Sequence, residues 1–487
     1  MPPWWLLHRS NQPFQHPDTN NVPAKKIISS ETVVPSLHDF INHHGLTFYW
    51  TKEHRTASQL EPLRHIGDCL ADNALVAMKL SASGDPLTQL VPTTKAPAVR
   101  ALYDQLTAVP SWVDWGKVRR GQQVFVRYAG GTGLTLLHCS LVGGFGAPKI
   151  NKVLGATGYL SRSCKSSYLR LFETLQMIVD CTEVGGLEPL TGVGWKACVR
   201  VRILHAKVRS RLMAMEKWNL QDWGVPINQE DMCATLLSFQ IIVLECLDFM
   251  NFKLSKEEQT DYTHLWRLIG YYSGVEEEHN PCLSYSFSRA TLESITRHIV
   301  LPDDTSSKMS NHILKSVSNK PPLNLSYESG AQLSRMLLGD IGADRLKLPK
   351  EHFFWHLFHG FHFVLLRCLA SMTWWPLVGS GMMMTQRIVL RSAAKKFQGG
   401  KRTKYFLKHV PDDLHFDDIG IGIDARGGGG GGGGGSGGSD QDVSGVVSGL
   451  SSNVFHIMCC GKIRMIKIVI LVALVAFFWQ VWIFLLS

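Results

Sequence analysis

The chain has 487 residues, 45% of them hydrophobic and 18% charged, a balance that excludes an intrinsically disordered protein. Its 50 Lys and Arg exceed its 40 Asp and Glu by ten but form no run of five or six, so the expected acidic partner is a membrane surface and not a nucleic acid. Eleven cysteines, an odd number with no CxxC pair, exclude a disulfide framework or a zinc knuckle.

At ~150 residues per domain the length allows about three domains, or one large helical domain with appendages. The opening MPPWWLLHRSNQPF lacks both a basic start and a long apolar run, so no secretory signal is expected and the protein should face the reducing cytosol. Residues 1–45, rich in Pro, Asn and His, read as a loosely ordered extension, and the folded unit is expected over 46–400. Within that unit QVFVRY at 123–128 is the best candidate strand, and the remaining apolar spacing is mostly helical. Tyr168, Leu171, Phe172, Leu175, Ile178 and Val179 fall on one helical face, and Val201, His205, Val208 and Leu212 follow the same period. WGVPINQED predicts a turn at Pro226 and a helix cap at Asn228 before the apolar run ATLLSFQIIVLECLDFM. Ser255 with Glu258 forms a capping box, and Gly274 supplies the stop of the helix that follows.

Residues 401–461 read as a flexible linker because the glycine tract 427–435 cannot bury enough apolar surface to order itself. Residues 462–487 read as a transmembrane tail anchor: from Ile468 to Leu486 Gln480 is the only polar side chain, and nineteen residues span roughly 28 Å, about one hydrocarbon core. Lys462, Arg464 and Lys467 before it place the main body on the cytosolic side, with the endoplasmic reticulum as the expected membrane. Cys459 and Cys460 beside the bilayer are candidate palmitoylation sites.

His205 is the first candidate for chemistry because it interrupts an apolar helical stripe. Arg202 at i−3 and Arg209 at i+4 lie near it, and an imidazole beside guanidinium groups suits a haem, whose iron takes a neutral imidazole nitrogen and whose propionates pair with arginine. The plainer readings are a hydrogen-bonded core histidine and a solvated basic face. Arg170 and Thr174 at i and i+4 can direct a cation and a hydroxyl at one spot and so steady an oxyanion, or form an ordinary surface pair. A rival site is HFFWHLFHGFHF, where His352, His356, His359 and His362 are spaced like a histidine box of a non-haem iron oxygenase. The plainer reading there is a helix lying on the bilayer with its histidines at headgroup depth.

These residues sit inside longer phrases that occur in order: PSWVDW (110–115), GQQVF (121–125), LLHCSLVGGFGAPKINKVLGATGYL (136–160), YLRLFET (168–174), GWKACVRVRILHAKVR (194–209), WGVPINQED (223–231) and LWRLIGYYSGV (265–275). The set resembles the family of fungal ER-bound MpaB-type oxygenases and bacterial latex-clearing rubber oxygenases, over about 100–290 and more loosely to about 400. The resemblance implies an all-α fold, a single large helical haem-binding domain, carrying a non-covalent haem b (iron). It also implies an oxygenase that uses dioxygen on a lipophilic, isoprenoid, olefinic chain. His205 matches the proximal haem ligand, and Arg170 and Thr174 match the distal-pocket Arg and Thr. At Glu173 the rubber oxygenases carry a lysine able to cap the iron, and a carboxylate cannot copy an amine ligand. LGATGYLSRS offers no counterpart of the acidic base proposed for those enzymes. The expected protein is a haem-dependent oxidoreductase held at the membrane. The alternatives are a non-catalytic, membrane-tethered haem-binding or scaffold protein and a histidine-box iron oxygenase.

Overall fold

The computed structural model describes residues 26–396 apart from 30–32, 44–45, 79, 81–83 and 159, together with 403 and 405. The glycine tract and the apolar stretch 468–486 lie outside the described residues.

Of the segment 1–45 expected to be loosely ordered, residues 1–25 lie outside the described residues, and part of the remainder is strand. Strands β1 (Ile27–Ile28), β2 (Phe40–His43) and β3 (Leu46–Tyr49) form a small sheet, with β1 parallel and β3 antiparallel to β2. Ile28, Ile41, Phe48 and Trp50 bury one face of it, and His54 stacks on Phe48 and Trp50 while its Nε2 meets Glu293 at 2.9 Å. Alternation over only four residues is too short a signal to stand out in a Pro- and His-rich context.

The rest is helical. Leaving aside short turns, the order is α1 (Cys69–Met78), α2 (Pro97–Thr107), α3 (Trp115–Arg127), α4 (Ala129–Thr135), a π-helical turn (Leu136–Leu141), α5 (Pro148–Thr157), α6 (Cys164–Cys181) and α7 (Val193–Met213). Then come α8 (Gln229–Phe239), α9 (Ile241–Phe249), α10 (Lys256–Tyr272), α11 (Tyr285–Ile299), α12 (Asp304–Val317), α13 (Tyr327–Arg345), α14 (Phe353–Met372) and α15 (Gly379–Lys396). The expected caps form: Asn228 accepts from the Asp231 N–H, and Ser255 and Glu258 bond reciprocally.

QVFVRY is helix, not strand. Its first five residues end α3 and Tyr128 is the cap; α3 packs so closely on α10 that a Cβ at Gly121 would come within 2.4 Å of the Asp261 carbonyl oxygen. Val124, Phe125 and Val126 are all buried, so this helix is apolar on more than one face and its short apolar run loses the helical period. One large core joins α1, α2, α3, α7, α8, α9 and α10 around Trp195, Tyr262, Trp266 and Tyr272. α6 and α7 pack side by side at its edge, and they carry the predicted site residues.

Candidate active site

α6 presents Arg170, Glu173 and Thr174, and α7 presents Arg202, His205 and Arg209. His205 is half-buried, with an enclosed Nδ1 that has no protein partner. Burial lowers its pKa to about 4, helped by the charges of Arg209 and then Arg170 and opposed by Asp68. The imidazole is therefore neutral at physiological pH and keeps a lone pair for a metal. That Arg170 acts on His205 brings the two helices' candidates into one neighbourhood. The reading of His205 as a hydrogen-bonded core histidine is not what the structure shows.

Arg170 is held by its own helix: Nη1 donates to Glu173 Oε2 at 2.5 Å. Thr174 is exposed, and its hydroxyl donates to the Arg170 carbonyl oxygen at 3.3 Å. Glu173 thus pairs with the neighbouring arginine.

Arg202 and Arg209 correct the reading of a solvated basic face, since both are buried and paired with carboxylates of the chain itself. Arg202, 3% exposed, grips Asp68 with Nε and Nη2 and donates to Gln105 Oε1 at 2.7 Å through Nη1. Arg209 pairs with Asp72 and donates to the carbonyls of Pro226 and Ile227 at 3.1 and 2.9 Å. Both carboxylates come from the α1 region, more than 130 residues away in sequence. A buried guanidinium already neutralised in this way fixes α7 in place.

The phrases converge on this clamp. Gly274 has a φ of +96°, and a Cβ there would sit 2.2 Å from Asp68 Oδ2, so only glycine lets Asp68 reach Arg202. Gln229 ties the clamp together, donating to the carbonyls of Gly67 and Gly274 and accepting from the Glu276 N–H. Behind it Arg64 meets Glu230 at 3.2 Å and Asp231 at 3.1 Å, and His298 meets Glu230 at 2.7 Å. Burial, reinforced by Glu230 and opposed by Arg64, pushes Asp231 up to about 6.

Sequence reasoning missed His138, which stands in the π-helical turn, is buried, and bonds Ser334 Oγ through Nδ1 at 3.0 Å while Nε2 has no protein partner. π-helical turns are frequent at functional sites. A histidine in the apolar run LLHCSL was the available signal. Among the described residues the four histidines of the rival stripe bring no three ligand atoms together: His352 caps its own helix, His356 pairs with Glu351, His359 bonds Ser329, and His362 lies near enough to act electrostatically on His359 and His138. Among the described residues only Glu276, Glu278 and His279 bring three ligand atoms within 4.8 Å of one another.

Three comparisons with known proteins bear on the family and the fold. The catalytic domain described as ER-bound oxygenase mpaB/B'/rubber oxygenase matches residues 121–371, just over half of the chain. The rubber oxygenase of Streptomyces sp. (strain K30) is 22% identical over 211 residues, which cover 41% of this chain and 49% of that protein. The chain thus spans about half the length of that curated relative. The solved structure of latex clearing protein LCP in the closed state superposes with a TM-score of 0.56 at 18% identity, over 71% of this chain and 95% of that one, a likeness of fold. The chain belongs to the family of ER-bound mpaB/B' and rubber oxygenases, through their catalytic domain.

Proposed function

We propose that this chain is a haem b-dependent oxygenase acting with dioxygen on a lipophilic, isoprenoid, olefinic chain drawn from a membrane. The observation that carries the reading is His205: a neutral imidazole, with an enclosed nitrogen that no protein group engages, in an arginine-rich neighbourhood of an oxygenase-family fold. That donor fits the iron of a haem, which takes a neutral imidazole nitrogen. Haem, when bound, supplies the redox-active iron that activates dioxygen.

The chain's own residues hold and orient. His205 would hold the iron, and its low pKa keeps its lone pair free of a proton. Arg170, fixed by Glu173, supplies a positive charge for oxygen-centred negative charge, and Thr174 stands one turn on. Arg202 and Arg209 act at one remove, by locking α7 against Asp68 and Asp72 so that His205 stays in place. The apolar stretch 468–486 would anchor the protein in the endoplasmic reticulum membrane with its body in the cytosol, the linker giving it reach. A prenyl chain partitions into lipid at about 0.8 kcal/mol per buried CH₂, so a tethered enzyme meets a concentrated substrate.

Purified protein should show a Soret band with one haem per chain, and His205→Ala should lose the haem while keeping its helical circular dichroism. In haem-loaded protein Arg170→Gln should slow oxygen uptake on farnesyl-bearing compounds by roughly 10- to 1000-fold. A fully haem-loaded His205→Ala protein overturns the ligand. An intact haem that never transfers ¹⁸O from ¹⁸O₂ to a prenyl panel leaves the non-catalytic haem-binding reading in its place.

A further inference from the structure

α14 buries one histidine among apolar side chains and exposes a second apolar stripe on its other side. The polar imidazole of His359 is 0% exposed and turned into the protein, where its Nε2 donates to the Ser329 carbonyl oxygen at 2.9 Å. The opposite side carries Phe353, Phe354, Leu357, Phe358, Phe361 and Val364, all exposed, with Phe353 and Phe361 at 66% and 63%. Their spacing is helical, so they form one outward stripe along the axis. Exposed apolar side chains continue into the turn after the helix at Trp374, Trp375, Leu377 and Val378, and Leu377 is 95% exposed. At 150–250 Å² per large side chain, half-exposed on average, the stripe and turn leave roughly 1,000 Å² of apolar surface uncovered, well above the few hundred Å² usual for the largest patch of a soluble monomer.

We propose that the outward face of α14 and the turn 373–378 form a docking surface for an anionic phospholipid bilayer, lying in the interface with phenylalanines in the acyl boundary. Three observations favour lipid over another occupant. From His352 to Lys396 the sequence has five Lys and Arg and no Asp or Glu. Two of the five, Arg387 and Arg391, share Glu183 of the same chain, while Lys395 and Lys396 are exposed at the end of α15. A segment with that excess of positive charge suits anionic headgroups, whereas a second copy would bring like charges together. Trp374 lies under the Arg127 guanidinium, with Cζ 3.7 Å from the ring centroid, and keeps 58% of its surface exposed beside Trp375, the amphipathic aromatic pairing found at headgroup depth. The same chain carries the apolar stretch 468–486, which would bring any folded unit tethered to it to a membrane surface.

This surface is independent of the oxygenase chemistry. The full chain, in vesicles of phosphatidylcholine with phosphatidylserine, is exposed to a lipid-soluble carbene photolabel, and the labelled peptides are mapped by mass spectrometry. Peptides spanning 353–378 should label while those around Val76, an exposed apolar side chain on α1, should not. The full-length triple variant Phe354→Ser, Phe361→Ser, Leu377→Ser should fold with unchanged circular dichroism and lose that labelling. Labelling confined to 468–486 overturns the docking surface. So does a detergent-solubilised mass of two chains that falls to one in the triple variant, which would make the stripe an interface between copies. A haem-free protein that labels at 353–378 removes the oxygenase reading and leaves this one standing.

Discussion

Two stretches among the described residues are long and apolar enough to cross a bilayer, Gln229–Phe249 and Phe353–Met372, and the protein treats them oppositely. In the first, which comprises α8 and α9, 61% of the apolar window is buried; in the second, α14, only 28% is. The first places Leu236, Leu237, Ile241, Val243, Leu244 and Leu247 in the main core and keeps its polar end satisfied through Glu230, Asp231 and Arg64. The second turns His359 inward beside Phe363 and Leu366, and four of its five phenylalanines outward. Apolar length alone therefore does not say what a helix faces; the partners of its polar residues do.

The comparison breaks most sharply under the same substitution in both places. Leu237→Asp puts an unpaired carboxylate where the side chain is wholly buried, at a cost of several kcal/mol, and should abolish soluble folded protein as read by yield and circular dichroism. Phe361→Asp should leave both intact, because that position already faces out.

Next in size is the polar end of the buried stretch. Glu230→Ala removes a wholly buried carboxylate from Arg64 and His298. The expected loss is about 3 kcal/mol in urea unfolding, the low end for breaking a buried pair, because Asp231 stays on Arg64. A neutral result would show that the cluster does not hold the helix.

A smaller, pH-dependent effect distinguishes the two seats. His138, on the inner side where α13 and α14 pack, has its pKa lowered to about 3, chiefly by burial and then by His359 and His362, against an opposing hydrogen bond at Gly330. Its folded pKa lies below the unfolded value near 6.5, so between about 3 and 6.5 the unfolded chain binds the extra proton and stability rises with pH. Asp231 has the opposite sign, because its raised pKa makes the folded state the better proton binder between about 4 and 6. The difference between wild type and His138→Gln isolates the histidine. It should vary by up to about 1.4 kcal/mol per pH unit over that window, and a pH-independent difference would refute the assignment.

Much of this was legible in the sequence. Helical periodicity, the caps at Asn228 and Ser255, the stop at Gly274 and the ordered phrases lead to the fold and the family. Arg202 and Arg209 were legible as charges beside His205 but not as clamps, because Asp68 and Asp72 lie more than 130 residues away and only packing joins them. Orientation was illegible for α14 for a related reason. With apolar residues all round the helix, its spacing cannot tell which stripe faces in, and the partner of His359 that decides it lies on α13.

The smallest expected effect is also the one that tests whether the outward stripe is free. Phe361→Ser removes a side chain that is already 63% exposed, so in the absence of lipid the change in unfolding free energy should stay within ~0.5 kcal/mol, as for other surface substitutions. Truncating a buried phenylalanine costs about 3–5 kcal/mol, a gap wide enough to read from urea midpoints at equal protein concentration. A loss near that range would mean that Phe361 is covered in solution, and a loss that grows as the protein is diluted would identify the cover as a second copy. A near-zero effect without lipid, together with weaker vesicle binding of the same variant, is the pattern of a side chain whose apolar partner is the membrane. It would leave Phe353–Met372 as the outward-facing counterpart of the core stretch Gln229–Phe249.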